Sequence, residues 1–186
     1  MKKLHIARIG YIVISIAFCL AAVLCLFSKA FSPQVLSICC GVFLLIYGAI
    51  KIIGYFSPDL YCLAFRYDLA FGILLLVVGV IVLFEFTAAG PWLPMGAGWL
   101  ALLDSVTKMQ MSQEAQKFGL EQWSVILTTA IISGALSVFL IFLSMIRENS
   151  TSIPAALVLL SIGIMNLCVV KFTVEKRGAS SEYEQI

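Results

Sequence analysis

Six long apolar runs constrain this chain more than any other feature. Stretches without a charged residue cover 9–28, 30–50, 69–84, 86–103, 122–146 and 149–170; the longest has 25 residues and the shortest 16. An α-helix crosses the hydrocarbon core of a bilayer with about 17–25 apolar residues. The runs therefore predict six transmembrane helices, near 9–28, 33–51, 68–86, 91–108, 122–146 and 153–171. The third reaches full length if Glu85 sits at the outer interface. A membrane β-barrel would show alternating segments of about ten residues, and these runs are solidly apolar and longer. The fold class expected is all-α: a polytopic membrane protein with one six-helix domain over 1–174 and a polar cytoplasmic tail over 175–186.

Composition agrees. Apolar residues make up 62% and charged residues 12%, against about 45–50% and about 25% in soluble domains. This excludes disorder, a coiled coil and an ordinary water-soluble enzyme. A net charge of +2 excludes the strong basic field of a nucleic-acid binder. The lipid bilayer is the expected partner.

The second, fourth and sixth helices open at Pro33, Pro91 and Pro154. Proline is favoured in the first helical turn, where its missing N–H would be unpaired anyway, and a preceding serine can cap. The turns before these prolines are short, so the chain reads as three helical hairpins. Orientation follows from Lys and Arg counts. Lys2, Lys3, Arg8, Lys51, Arg66, Lys108, Lys117, Lys171, Lys176 and Arg177 fall on one side, and only Lys29 and Arg147 on the other. Both termini are thereby expected in the cytoplasm. Tyr55, Phe56, Tyr61, Phe65, Tyr67 and Trp123 then mark the inner interface, and Phe27, Phe31, Phe86 and Trp92 the outer one; amphipathic rings prefer the headgroup zone. Trp99 falls deeper and is expected to pack inside. The first apolar stretch exceeds the usual 7–15 residues of a signal peptide and lacks a small-x-small cleavage site, so it is expected to be a retained span.

An internal repeat emerges when the even helices are aligned on Lys51, Lys108 and Lys171. Small residues then coincide: Gly41, Gly98 and Ser161 ten positions earlier, and Gly48, Ser105 and Cys168 three positions earlier. Seven residues is nearly two helical turns, which places each pair on one face. Gly72/Gly79, Ala130/Ser137 and Ser15/Ala22 repeat the spacing in the odd helices. Small residues let membrane helices approach closely, so these are expected helix-packing positions; a backbone-lined ligand pathway is the competing reading.

Catalytic constellations are missing from the spans. His5 is the only histidine and lies outside them, which leaves no zinc site, Ser–His pair or Cys–His pair within the membrane. Neither a P-loop, a G-x-S-x-G elbow nor a dinucleotide fingerprint occurs. No enzyme activity, metal or cofactor is expected. The six cysteines, Cys19, Cys25, Cys39, Cys40, Cys62 and Cys168, read as small core residues without a disulfide framework; Cys62 is a palmitoylation candidate.

Two embedded polar residues are the candidate functional positions, Asp104 and Asn166. Ionisable residues within spans are costly and often functional. Asp104 lies one turn before Lys108, so an interfacial i,i+4 ion pair competes with a proton or ion site. Asn166 is expected to bond a neighbouring helix, with Tyr47 and Ser133 as lesser candidates. Lys51 and Lys171 are expected to reach the headgroups along their own stems. Ser57-Pro58-Asp59 predicts a short interfacial helix to about Arg66. The run 108–118 predicts a cytoplasmic extension of the fourth helix, with Gly119 as its stop and Met109, Met111 and Phe118 supplying apolar surface.

Several stretches together resemble a known family: 41–51 (GVFLLIYGAIK), 67–75 (YDLAFGILL), 103–123 (LDSVTKMQMSQEAQKFGLEQW) and 161–167 (SIGIMNL). The most distinctive is 114–119, ahead of Trp123. The chain up to about Val174 resembles the HdeD-like membrane proteins, a short-repeat family of unknown function in bacteria. The resemblance implies a multi-pass protein of the bacterial inner membrane and, through the best-known member, a role in acid resistance or stress response. It brings no catalytic residue, and the fourth and sixth helices depart from its Gly–Gly spacing. Two other functions remain open: a small-solute transporter or channel with a cavity at Asp104, Asn166 and Trp99, and a structural or partner-binding subunit, including a homo-oligomer, that uses the small-residue faces or the 108–118 arm.

Overall fold

A computed structural model describes residues 2–26, 32–56, 68–85, 87, 92–117, 119, 122–146 and 152–174. Among these residues the chain is all-helical. Six helices follow one another: α1 (Lys2–Leu26), α2 (Pro33–Tyr55), α3 (Asp68–Phe84), α4 (Leu93–Lys117), α5 (Trp123–Ile146) and α6 (Ser152–Val174). Four of them, α1, α2, α5 and α6, are long and apolar enough to cross a membrane. The 17 residues of α3 give a helix of about 25 Å at 1.5 Å per residue, somewhat short of a bilayer core of about 30 Å. The 25 residues of α4 give about 37 Å, but from its middle onward it carries Asp104, Lys108, Glu114 and Lys117.

Local chemistry sets the helix ends. Ser32 caps α2 by accepting a hydrogen bond from the Val35 N–H, and Pro33 occupies the first turn. Ser152 opens α6, with Pro154 in its first turn. The fourth helix runs on to Lys117 and stops at Gly119, whose φ of +73° is a left-handed conformation that favours glycine. Pro91, Lys29, Arg147, Cys62, the segment 57–66 and the tail 175–186 lie outside the described residues.

The most extensive helix contacts join α2 to α3, α4 to α5 and α1 to α6. Contacts of α5 with α6 are next, and those of α1 with α2 are slight. The expected hairpins of α1 with α2 and α3 with α4 are thus not the tightest units. Small residues explain the choice of partner. A Cβ on Gly48 would lie 2.8 Å from the Gly72 carbonyl oxygen, and one on Gly41 3.2 Å from that of Gly79. Gly98 meets the Ser137 carbonyl of α5 in the same way, and Gly163 of α6 meets Ser15 of α1. Ser105 faces Gly134, and the Ser161 hydroxyl pairs with that of Ser133 at 3.1 Å. Cys168 is partly buried on α6.

Burial is inverted relative to a water-soluble protein. Ile9, Val13, Ile16, Leu20 and Val23 make an exposed aliphatic face on α1, and Phe84 is 83% exposed on α3. Ser15, Ser37, Lys51, Asp68, Asp104, Ser105, Lys108, Ser112, Ser133, Ser137 and Asn166 are all buried. Buried apolar residues fill in around them. Ile14, Phe18, Tyr47, Phe71 and Leu75 form the main cluster, with Phe18 edge-on to Phe43 and Tyr47. A second cluster joins Tyr11, Met111, Ile126, Val169 and Val170. Met111 is therefore turned into the bundle and does not form a free face on the α4 extension. The Ser112 hydroxyl ties that extension to α5 by donating to the Trp123 carbonyl at 2.8 Å. Trp99, expected inside, is half exposed on the surface.

Candidate functional site

A group of charged side chains meets inside the helix bundle. Lys51 comes from the last turns of α2, Asp68 from the first residue of α3, and Asp104 and Lys108 from the middle of α4. All four are buried. The Lys51 ammonium donates to Asp68 Oδ1 at 2.7 Å and lies 3.2 Å from Asp104 Oδ1. The Tyr11 hydroxyl of α1 donates to Asp68 Oδ2. Aromatic faces complete the surroundings of Lys51, with Phe71 at 5.0 Å and Tyr47 at 5.1 Å from its nitrogen. The ammonium of Lys108 lies 5.9 Å from the Tyr11 ring. Two cations and two carboxylates make the group neutral. Neutrality limits the cost of removing it from water, because a buried charge is tolerated when paired and hydrogen-bonded.

Two expectations change here. Lys51 does not extend to the headgroups: its side chain is fully buried between two carboxylates. Lys171 is exposed. Asp104 forms its ion pair between helices with Lys51, and not along its own helix with Lys108.

Asn166 joins the group at one remove, donating from Nδ2 to the Tyr47 hydroxyl at 3.3 Å. Its Oδ1 and both carboxylate oxygens of Asp104 have no hydrogen-bond partner among the described residues.

A cavity of about 400 Å³ adjoins the charged group. Its walls come mostly from α2, α3 and α4, with Phe18 from α1 and Leu159 and Ile162 from α6. Asp104 and Tyr47 lie at one end, and Glu85 and Trp92 at the other. The distance along α4 from Trp92 to Asp104 is about 18 Å at 1.5 Å per residue. Phe43, Leu75, Leu100 and Ala101 are typical of the lining, which is apolar apart from Cys40, Tyr47, Glu85 and Asp104. Asn166 and Trp99 do not border it. Among the described residues no group of three His, Cys, Asp or Glu is placed to hold a metal.

The sequence reading missed Tyr11, Lys51, Asp68 and Lys108 as members of one site. A signal for them existed. Tyr11 and Asp68 are 57 residues apart, and so are Tyr47 and Asp104, and Lys51 and Lys108. Each pair occupies equivalent places in consecutive repeats. The comparisons with known proteins bear on this spacing. Residues 13–84 and 70–142 each match the family described as a short repeat of unknown function (DUF308). The two matches begin at residues 13 and 70, again 57 apart. No curated protein and no solved structure matches the chain. The site is thus built from paired positions of a duplicated unit, and the chain belongs to the short-repeat family of unknown function, DUF308.

Proposed function

We propose that this protein is a six-span, non-enzymatic protein of the bacterial inner membrane, of the HdeD-like type, which supports survival under acid or related stress. HdeD-like proteins belong to the same short-repeat family. The observation that carries the membrane reading is the inverted burial: aliphatic side chains cover the outside while Lys51, Asp68, Asp104 and Lys108 sit within. In this reading α3 and α4 span together with the four longer helices, because the charges of α4 at 104 and 108 are neutralised inside the bundle. Both termini are cytoplasmic. Setting aside the buried Lys51 and Lys108, eight of the remaining basic residues lie on the inner side and two on the outer, in keeping with the positive-inside rule. The stress role rests on the family resemblance. Deleting the gene and measuring survival after an acid challenge tests it. Lost survival restored by the wild-type chain supports the role, and unchanged survival removes it.

The cavity favours a second reading, the handling of a small solute. It reaches from the Glu85 end to Asp104 through an apolar lining. Solute flux into proteoliposomes, compared between wild type and Asp104→Asn, tests this reading; equal flux with both, or with empty vesicles, removes it. Partner binding through the α4 extension has less support, because Met111, Ser112 and Ala115 already face the bundle.

A further inference from the structure

The second repeat leaves its own hairpin seam open. In the third repeat α5 packs on α6, where the Ser161 and Ser133 hydroxyls meet at 3.1 Å. In the second, α3 and α4 are not among the helix pairs in substantial contact among the described residues. The cavity of about 400 Å³ lies in that seam, with Leu75 and Val78 of α3 on one wall and Leu100 and Ala101 of α4 on another. Gly96 of α4 marks the same gap. Gly41, Gly48 and Gly98 each bring a neighbouring helix close, whereas a Cβ on Gly96, which lines the cavity, meets no atom within 4 Å. Glycine weakens a helix relative to alanine, and no close helix contact explains it here.

Three properties of the seam define what fits it. Its lining is apolar along most of its length, through Phe43, Leu75 and Leu100. Protein interiors are close-packed, with few spaces larger than a water molecule, and apolar cavities exclude water. The inner end makes no polar demand: Asp104 is ion-paired with Lys51 within a neutral group, and the Tyr47 hydroxyl accepts from Asn166. The other end is amphipathic, with Glu85 exposed and Trp92 68% exposed, and tryptophan favours the headgroup level of a bilayer. The distance between the ends, about 18 Å along α4, is close to one leaflet's share of the hydrocarbon core, about 15 Å. Lipid tails are as apolar as leucine, and they surround a spanning seam on its open side.

We propose that the seam between α3 and α4 holds one hydrocarbon chain of a zwitterionic phospholipid, its headgroup at Glu85 and Trp92 and its chain end near Tyr47. The Glu85 carboxylate repels an acidic headgroup and so selects against anionic lipid. The proposal rests on the reading that α3 and α4 span the bilayer.

The test uses the full chain in nanodiscs of phosphatidylcholine doped with phosphatidylethanolamine that carries a photoactivatable diazirine near the end of one chain. Labelled residues are mapped by mass spectrometry. Leu75 is 1% exposed and lines the cavity, whereas Val77, two residues on, is 52% exposed outside it. A chain in the seam labels Leu75 and Leu100 as well as Val77. Gly96→Leu fills the seam from a position with open space around its Cβ; it should cut the Leu75 label about fivefold and leave Val77 unchanged. Phosphatidylglycerol with the same diazirine should label Leu75 less than the zwitterionic lipid does, and Glu85→Gln should remove the difference. Labelling of Val77 without Leu75 overturns the proposal and leaves the spanning reading intact, a result that holds in the wild-type chain even if Gly96→Leu fails to fold. Absence of label at both positions overturns the spanning reading as well. A Leu75 label that Gly96→Leu does not change removes the seam as its source, and equal labelling by the two lipids removes the headgroup selection.

Discussion

Lys51→Met is the most informative single change. The lysine nitrogen lies 2.7 Å from Asp68 and 3.2 Å from Asp104. With an effective dielectric constant of about 20, unit charges at these separations attract by about 6 and about 5 kcal/mol. Desolvation of each ion, several kcal/mol, offsets most of that gain. Methionine keeps much of the volume and removes the charge, so the loss is not a packing cavity but two carboxylates left in an apolar interior. Removing one partner of a buried pair costs about 3–5 kcal/mol. At roughly 2–4 °C per kcal/mol for a chain of this size, the melting temperature in detergent should fall by about 6–20 °C. The double variant Lys51→Met, Asp104→Asn should recover much of the loss, since Asp68 and Lys108 then leave the buried group neutral again. A double-mutant cycle should show stronger coupling of Lys51 to Asp68, its hydrogen-bonded partner, than to Asp104. A melting temperature for Lys51→Met within 2 °C of wild type would show that the lysine is not held between the two acids.

The glycine seam gives a contrasting pair. Gly48→Leu places a Cβ 2.8 Å from the Gly72 carbonyl oxygen and 3.1 Å from the Leu76 nitrogen; both are backbone atoms, so α2 and α3 must separate, at a cost of about 1–3 kcal/mol. Gly96→Ala has open space around its new Cβ and should gain about 1 kcal/mol from helix propensity, and thermal melts of the two variants should move in opposite directions. Asn166→Leu removes the bond to Tyr47 but also an oxygen without a partner. Its cost should stay near the ~0.6 kcal/mol average of membrane hydrogen bonds and below ~1.7, and a larger loss in the same melt would mean that Asn166 holds more than Tyr47.

Sequence and structure meet unevenly, for identifiable reasons. Helix positions were legible, because a run such as 122–146 has no charge to interrupt it and proline marks the first turn of α2 and α6. The end of α4 at Gly119 was legible because glycine is the residue that most readily takes the left-handed backbone of a helix stop. Seven-residue spacing of Gly41 with Gly48 and of Gly72 with Gly79 pointed to close contacts. It did not say which helix each face would meet, since small residues fit any neighbour. Inside and outside were harder to tell apart. In lipid an apolar ring has no drive toward the interior, so the character of Trp99 left its half-exposed position open. The charged group was the hardest to foresee. A hydropathy reading treats Lys51 and Asp68 as the ends of spans, where lysine usually extends to the headgroups. Their burial depends on partners that arrive from other repeats, and only the 57-residue correspondence joins Tyr11 with Asp68 and Lys51 with Lys108.

The central claim is that six helices cross a bilayer around this buried charged group, with both ends of the chain on the cytoplasmic side. Reporter fusions test it most directly, with a phosphatase active outside the cytoplasm and a fluorescent protein active within it. Fusions after residues 29, 88 and 149 should report the outside, and those after 60, 119 and 186 the cytoplasm. Fusions after 60 and 119 that report the same compartment as the one after 88 would mean that α3 and α4 do not span, and the account would fail.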